Sequence, residues 1–272
     1  MAGQYIEPMR PPNGAGPAPV DGPSIITTPE APAKGQVPAR RAGWLRLPRP
    51  CVLCGQWDRQ GLCGDCRQRF LAAAPSRCPR CALPGPSATA CGACLREPPP
   101  FERCITLADY GFPWDRLIGR FKFQQQPELA ALLAPALQAA VQQQAVAPLA
   151  QVVLPVPLSG QRLAERGYNQ AWELARRIAA GLGLAAEAGW LLRLRDTPHQ
   201  VGLSRDARAR NLRDAMWVTP EGKRGLAGRQ VALVDDVLTT GVTAAAASQA
   251  LLAAGAAGVQ VWVLARTPAP GA

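Results

Sequence analysis

The stretch Val231-Ala-Leu-Val-Asp-Asp-Val-Leu-Thr-Thr-Gly-Val-Thr243 decides the fold. Its apolar start, residues 231–234, predicts a short strand buried in a parallel sheet. Asp235 and Asp236 follow, at the strand end where open α/β sheets form their ligand crevice. A turn rich in hydroxyls then precedes an alanine-rich helix, predicted over residues 244–254, whose N-terminus suits a phosphate. The pattern predicts a ribose-phosphate site: Asp235 and Asp236 accept from the ring hydroxyls, and the turn holds the phosphate with Thr239, Thr240, Gly241 and Thr243.

The alternative is a buried strand followed by an ordinary Thr-capped helix, with two acids present for solubility. A purely structural strand end has no need of adjacent carboxylates beside clustered hydroxyls, so we favour the binding site. The segment resembles the 5-phosphoribosyl-1-pyrophosphate (PRPP) motif of type I phosphoribosyltransferases, in which an apolar strand is followed by two acids, two Thr, Gly and Thr.

Charge and composition limit the class of protein. The chain has 272 residues and a net charge of +11, which favours polyanionic partners, either nucleic acid or phosphorylated small molecules. It has no run of eighteen apolar residues and no basic-then-apolar leader, so we expect no membrane insertion and a cytoplasmic location. Residues 1–45 are rich in proline and lack a hydrophobic period, which predicts a disordered tail.

Four Cys-x-x-Cys pairs follow the tail within residues 51–94. Two such knuckles complete one tetrahedral structural zinc site, so eight cysteines predict two Cys₄ sites. Disulfides need an oxidising compartment, and a redox role explains one pair better than four. Consecutive knuckles keep each loop local and are preferred over a cross-braced pairing of the first knuckle with the third. The predicted sites are Cys51, Cys54, Cys63 and Cys66, and then Cys78, Cys81, Cys91 and Cys94.

The ninth cysteine and the only histidine stand apart from these knuckles. Cys104 is predicted to be a small buried apolar side chain. His199 lies far along the chain, which disfavours mixed Cys/His ligation.

A second charged segment predicts the other half of the crevice. A strand predicted over residues 152–154 leads to a loop with Arg162 and Arg166, and a helix follows over residues 171–182. The two arginines clamp a diphosphate in one interpretation and occupy a solvated helix face in the other; Gly167 and its neighbouring amides favour the clamp.

Upstream we predict a strand over residues 108–112, a helix or turn over residues 114–123 and a helix over residues 128–144. Lys122, between two phenylalanines, either extends from the core to solvent or points at a phosphate.

These segments together resemble the ComF family of competence-associated, phosphoribosyltransferase-like proteins. The resemblance rests on residues 155–158, Arg162, the run Arg166-Gly-Tyr-Asn-Gln-Ala171, residues 174–175, residues 231–243 and Lys122, and it extends to Arg193, Gln200, residues 203–204, Arg208 and residues 211–212. It implies a type I phosphoribosyltransferase-like parallel sheet flanked by helices, over residues 101–268. A small zinc-ribbon module, residues 46–100, is implied before it.

The resemblance also implies a function in DNA uptake. PRPP would bind with Mg²⁺, with Asp235 and Asp236 orienting the sugar, and Lys122, Arg162, Arg166 and Asn169 would join the turn in ligand binding. Two classes of function stay open: transfer of a phosphoribosyl group with release of pyrophosphate, and a non-catalytic adaptor that senses a nucleotide and binds single-stranded DNA and uptake proteins. A zinc-held scaffold carrying a relic motif is disfavoured, because the acidic pair is intact.

Overall fold

The structure is a computed structural model that describes residues 47–71, 76–85, 89–144, 149–194 and 215–269, all in one compact unit, Arg46–Ala272. The tail predicted to be disordered and the family-like positions Gln200 to Leu212 lie outside the described residues. So does His199.

The N-terminal part consists of short elements: strands β1 (Arg49–Pro50) and β2 (Trp57–Asp58) and helices α1 (Gly64–Leu71) and α2 (Gly92–Arg96). The following half contains β3 (Arg103–Asp109), α3 (Trp114–Phe123), a 3₁₀ turn (Pro127–Leu129), α4 (Ala130–Gln144), β4 (Val152–Pro155), α5 (Gly160–Arg166), α6 (Gln170–Leu182) and β5 (Ala185–Ala186). The last part contains β6 (Leu191–Arg193), β7 (Met216–Val218), α7 (Pro220–Leu226), β8 (Gln230–Leu238), α8 (Val242–Ala253) and β9 (Gly258–Arg266).

Five parallel strands form the central sheet in the order β3-β9-β8-β4-β5. The predicted parallel sheet flanked by helices is therefore confirmed. After β4 the chain moves outward to β5, whereas after β8 it moves the opposite way to β9. The connections thus diverge between β4 and β8, and such a switch point opens a crevice at the carboxyl ends of the two strands.

Strand β8 is longer than the four residues predicted, and both acids lie inside it. Its pairing with β4 ends at Val234, whereas its pairing with β9 continues to Leu238. The prediction that the acids follow the strand was wrong, because β9 stays paired with β8 beyond the point at which the pairing with β4 ends. Asp235 and Asp236 consequently sit where β8 has lost its β4 partner.

Apolar side chains cover both faces of the sheet. Along β8, Ala232 and Val234 join one cluster with α3, α4 and α6, while Val231 and Leu233 join another with α7 and α8. The alternation follows from the two-residue period of a strand. The cysteine-rich region contributes to both clusters, with Leu62 in the first and Ala82 in the second.

Most predicted elements are confirmed with shifted ends. The helices over residues 114–123 and 171–182 are α3 and α6, and the helix over residues 128–144 is α4 preceded by the 3₁₀ turn. The strand predicted over residues 108–112 was misplaced, because β3 is Arg103–Asp109 and pairs along that length with β9. The helix expected over residues 244–254 begins two residues earlier, after Gly241.

Two helical glycines allow a matched test of packing. A Cβ at Gly225 would lie 2.2 Å from the Trp190 ring, whereas a Cβ at Gly119 in α3 would meet nothing within 4 Å. We expect Gly225→Ala to lower the free energy of unfolding by about 1–3 kcal/mol through overpacking. Gly119→Ala should raise it by about 0.5–1 kcal/mol through helix propensity. Urea denaturation measures both, and equal effects of the two changes would contradict the packing seen at Trp190.

Candidate functional site

The acidic pair lies at the switch point of the sheet. Asp236 points to the α3 side of the sheet and its side chain is only 3% exposed, while Asp235 is partly exposed. One carboxylate oxygen of Asp236, Oδ1, lies 2.8 Å from Lys122 Nζ. The other, Oδ2, is buried and has no hydrogen-bond partner among the residues that the structure describes. A buried carboxylate oxygen without a donor is costly and uncommon in folded proteins.

Lys122 therefore has a partner that neither sequence-based alternative foresaw. It neither simply extends to solvent nor stands alone as a phosphate-binding charge, because it forms an ion pair with Asp236 and is itself mostly buried. The ion pair balances one of two adjacent acids. Burial, and then the charge of Asp236, raises the pKa of the Asp235 carboxyl, with Lys122 acting in the opposite direction.

The hydroxyl-rich turn follows the acids as predicted. Thr239 and Thr240 are exposed, and Gly241 adopts φ of 80°, a left-handed conformation that suits glycine. Helix α8 starts at the next residue, so its free N–H groups and its dipole lie directly after the turn. The exposed hydroxyls and these amides form a surface on which a phosphate can rest.

The segment after β4 is helical in part, so its prediction as a loop was wrong. Ser159 caps α5 by accepting from the Arg162 N–H at 3.4 Å, and Gly167, with φ of 79°, ends the helix. Arg162 and Arg166 thus lie one turn apart on a short helix, both partly buried. That helix projects from the carboxyl end of β4, beside the acids on β8.

Helix α3 joins the two halves of the crevice through contacts that sequence reasoning missed. The Tyr168 hydroxyl donates to the Phe121 carbonyl, and the two rings lie 6.0 Å apart. The Arg166 guanidinium lies 5.4 Å from the ring of Phe123, which is 74% exposed. The signal in the sequence is the Phe-Lys-Phe run that ends α3. Its residues contact Tyr168, Asp236 and Arg166, in that order.

Asn169 uses its side chain within the protein. Its Oδ1 accepts from the Ala171 and Trp172 N–H groups at 2.9 and 3.3 Å, which caps α6. Its Nδ2 donates to the Val156 carbonyl at 3.1 Å. The Asn169 side chain thus links the segment directly after β4 to the first turn of α6.

The eight knuckle cysteines form two groups of four in sequential order, which confirms the preferred pairing. Within each group the sulfur atoms lie within 4.8 Å of one another. The Cys54 and Cys63 sulfurs are 3.6 Å apart and the Cys81 and Cys91 sulfurs 3.7 Å apart. Tetrahedral zinc with Zn–S bonds of about 2.3 Å spaces its sulfurs by about 3.8 Å, so both groups fit zinc.

The two groups repeat one local design. We call the group from Cys51 to Cys66 the first ribbon and the group from Cys78 to Cys94 the second ribbon. In the first ribbon the Cys63 N–H donates to the Cys51 sulfur at 3.4 Å, and in the second ribbon the Cys91 N–H donates to the Cys78 sulfur at 3.3 Å. Burial raises the pKa of both thiols, but these and neighbouring N–H donors lower it by a larger amount. The net pKa is therefore lowered, to about 6 for Cys51 and about 7 for Cys78. Donors that stabilise a thiolate also stabilise a metal ligand.

Cys104 lies outside both groups, as predicted. It is 4% exposed and belongs to the cluster beneath α8, and burial raises the pKa of its thiol to about 12.

No helix among the described residues is long and apolar enough to cross a membrane.

Comparison with known proteins gives relatives over most of the chain. The double zinc ribbon domain family matches residues 44–95. DNA utilization protein YhgH of Salmonella typhi is 37% identical over 230 residues, covering 82% of this chain and 99% of that protein. Competence protein F of Haemophilus influenzae is 34% identical over 215 residues, covering 76% and 91%. Among solved structures, glutamine PRPP amidotransferase of B. subtilis is 22% identical with a TM-score of 0.33, covering 51% of this chain and 26% of that chain.

The raised pKa of Asp235 predicts a stability cost at neutral pH. A carboxyl with a raised pKa in the folded state binds more protons there than in the unfolded chain, so stability falls as pH rises from its ordinary pKa to the raised one. We expect Asp235→Asn, in Mg²⁺-free buffer at pH 7.5, to raise the free energy of unfolding by at least about 1 kcal/mol, because a pKa raised by a single unit already corresponds to about 1.4 kcal/mol. Urea denaturation from pH 5 to pH 8 should show the gain shrinking as pH falls.

Asp236→Asn is the control for this change. It removes the acid partner of Lys122, so it should not give the same gain. A gain that is independent of pH, or equal in the two variants, would contradict the electrostatic account of the pair.

Proposed function

Because the chain belongs to the family of DNA utilization protein YhgH and competence protein F, the ComF family, we propose that its crevice binds PRPP, or a related ribose phosphate, with Mg²⁺ in the service of DNA utilization. The observation that carries this proposal is the buried Oδ2 of Asp236, which lies beside the Thr-rich turn and has no hydrogen-bond partner within the described ranges. A sugar hydroxyl is a neutral donor of suitable size for such an oxygen, and the turn supports a phosphate on the same sugar.

Each group in the crevice has a role in this proposal. Asp235 and Asp236 accept from the ribose hydroxyls, and the turn binds the 5′-phosphate with Thr239, Thr240, Gly241 and Thr243. Arg162 and Arg166 project from the neighbouring strand end, where two forked guanidinium groups suit a diphosphate. Lys122 is held by Asp236 in this structure and supplies a further positive charge on the α3 side.

Mg²⁺ fits the chemistry of the donors. It prefers oxygen ligands and binds through few carboxylates plus substrate phosphates. The buried oxygen of Asp236, the partly exposed Asp235 and a diphosphate supply oxygens of that kind. When bound, the ion would neutralise charge on the diphosphate and so make it a better leaving group.

Transfer of the phosphoribosyl group is the catalytic form of the proposal. The anomeric C–O bond to pyrophosphate breaks, a bond from the anomeric carbon to a nucleophilic acceptor forms, and the acceptor loses its proton to solvent. Arg162 and Arg166 stabilise the negative charge on the departing pyrophosphate, while the Asp pair faces a sugar that becomes positively charged. The non-catalytic form keeps the same ligand contacts and uses ligand binding as a signal to a DNA-binding adaptor.

A second feature favours single-stranded DNA as a partner. A cleft of about 420 Å³ lies beside the first ribbon and is lined by Leu53, Cys54, Gln56, Asp65, Cys66, Arg69, Phe70, Phe112 and Pro113. Phe70 and Phe112 pack edge to face at 5.9 Å, and Phe112 is 67% exposed. Arg69 and Arg116 lie over these rings at 5.5 and 5.3 Å.

Exposed aromatic rings beside guanidinium groups are the arrangement on which unpaired bases stack while the cations contact the backbone. Asp65 is the acidic exception in this cleft. The cleft supports the DNA-binding adaptor as the second candidate function. The two functions are compatible, because the cleft uses none of the residues assigned to the ribose phosphate.

We predict that PRPP binds saturably and only with Mg²⁺, as measured by calorimetric titration. Asp235→Asn combined with Asp236→Asn should weaken binding at least a hundredfold, because about 1.5–3 kcal/mol is lost with each charged hydrogen bond. The matched control, Glu97→Gln with Glu221→Gln, removes two exposed acids elsewhere and should keep the parent's affinity. A double Asp variant that stays folded and binds as well as the parent would sink the assignment.

Pyrophosphate release during a screen of nucleobase and amine acceptors separates the two forms of the proposal. Release that depends on acceptor and on Asp235 supports transfer. Tight binding of PRPP, with no pyrophosphate released in the presence of any acceptor, supports the nucleotide-sensing adaptor.

For the cleft, we expect Phe112→Ala combined with Arg116→Ala to weaken single-stranded DNA binding about tenfold or more, since stacking of one base contributes about 1–3 kcal/mol. Trp217→Ala with Arg224→Ala removes an exposed aromatic and an exposed cation elsewhere, so it controls for the general loss of charge. Fluorescence anisotropy with a labelled oligonucleotide measures both. Equal weakening by the two pairs would mean that the DNA is held by net charge and not by the cleft.

A further inference from the structure

Arg266, the last residue of β9, is a buried arginine whose hydrogen bonds to described residues all go to backbone carbonyls. It is 7% exposed, and its Nε donates to the Cys81 carbonyl at 2.8 Å. Its Nη1 donates to the Leu238 carbonyl at 2.9 Å, to the Thr267 carbonyl at 2.7 Å and to the Thr239 carbonyl. Within the described part of the chain, no carboxylate forms a salt bridge with it. A buried guanidinium is tolerated only where its donors are satisfied, so these carbonyls are held in place by the charge.

The carbonyls belong to two different functional segments. Cys81 is one of four sulfur ligands in the second metal group, and its backbone carbonyl lies in the same knuckle. Leu238 and Thr239 form the junction between β8 and the phosphate-binding turn. One guanidinium therefore connects a metal-binding knuckle directly to the start of that turn.

The second ribbon is attached to the sheet at this edge by further contacts. Cys104 on β3 donates its N–H to the Pro79 carbonyl at 3.1 Å. Arg77 pairs with Asp109 at 2.7 Å and also donates to the Ala82 carbonyl at 3.0 Å. These contacts hold the ribbon against β3 and β9, so the knuckle that carries Cys81 cannot shift without disturbing the strand ends.

The first ribbon has no equivalent link to the turn in the part of the chain that the structure describes. Its described hydrogen bonds stay within the ribbon, such as those from Cys63 N to Cys51 and from Arg67 to the Leu62 carbonyl. It packs on the opposite face of the sheet through Leu62 and its neighbours. The chain thus contains a matched comparison: two similar zinc ribbons, of which one contacts the turn through Arg266.

We propose that Arg266 is a positioning residue that couples zinc binding in the second ribbon to the conformation of the phosphate-binding turn. Zinc fixes the Cys81 knuckle, the knuckle carbonyl orients the Arg266 guanidinium, and the guanidinium fixes the Thr239 carbonyl. The consequence for ligand affinity rests on the proposed function; the coupling between zinc and turn does not. Coupling between two sites is reciprocal, so a ligand on the turn also raises the affinity of the second ribbon for zinc.

The test compares Cys81→Ser, which damages the second ribbon, with Cys54→Ser, which damages the first. The parent should contain two zinc ions per chain, and each variant should lose one. In Cys81→Ser we expect amide exchange at residues 239–243 to accelerate at least tenfold and PRPP binding to weaken at least tenfold. In Cys54→Ser the exchange at residues 239–243 should stay within about twofold of the parent, an energy below about 0.5 kcal/mol.

Arg266→Lys keeps the charge but cannot satisfy four carbonyls with a planar fork. Circular dichroism and retention of zinc in the ribbon that the substitution leaves intact establish that each variant is folded. We expect Arg266→Lys to accelerate zinc release from the second ribbon and exchange in the turn. Combined with Cys81→Ser, it should add less than its separate effect on the turn, as coupled residues do.

Three outcomes overturn the coupling: equal disturbance of the turn by both cysteine variants, an unaltered turn in Cys81→Ser, and additive effects in the combined variant. If the parent protein binds no PRPP, the proposed function fails. The zinc-release and amide-exchange measurements then still decide the coupling, because neither requires a ligand.

Discussion

The ion pair between Lys122 and Asp236 is the interaction on which the crevice depends. Two adjacent acids on a strand inside a sheet repel each other, and burial adds a desolvation cost. Lys122 balances one of the two charges at 2.8 Å from Asp236 Oδ1, and Asp236 Oδ2 stays without a donor in the described structure. The site therefore keeps an electrostatic cost in the described structure. Natural proteins commonly accept such local costs where they bind or react.

The fold maintains this arrangement from several directions. Separation of β4 from β8 after Val234 opens space for the acids, and β9 keeps β8 extended through them. Helix α3 supplies Lys122, and its last turn is held against the second half of the crevice by the contact between Phe121 and Tyr168. The crevice consequently depends on side chains from distant parts of the sequence, and the rigidity of each part limits how far the charges can relax.

Sequence reasoning predicts the elements of this fold where periodicity and local signals are strong. The apolar run before Asp235, the glycine at position 241 and the cysteine spacing predict a buried strand, a turn and two Cys₄ groups, and the structure contains them. It fails where tertiary contacts decide. Strand β8 extends past the acids because of its pairing with β9. The short helix after β4 is a different case, because its Ser159 cap is a local signal that the prediction of a loop overlooked. No local pattern identifies Lys122 as the partner of Asp236 or Arg266 as a link between distant carbonyls.

The zinc ribbons share their apolar surroundings with the sheet. Cys51, Cys63 and Cys66 lie in the cluster with α3, α4 and α6, while Ala82 lies with Phe101 and Cys104 in the cluster on the other face. Metal binding free energy in such sites is folding free energy. Because the ribbons are part of both apolar clusters, that energy also stabilises the layers that enclose the sheet. The sheet can then accept the buried acidic pair at its switch point, because the stability that offsets this cost comes from both of its faces.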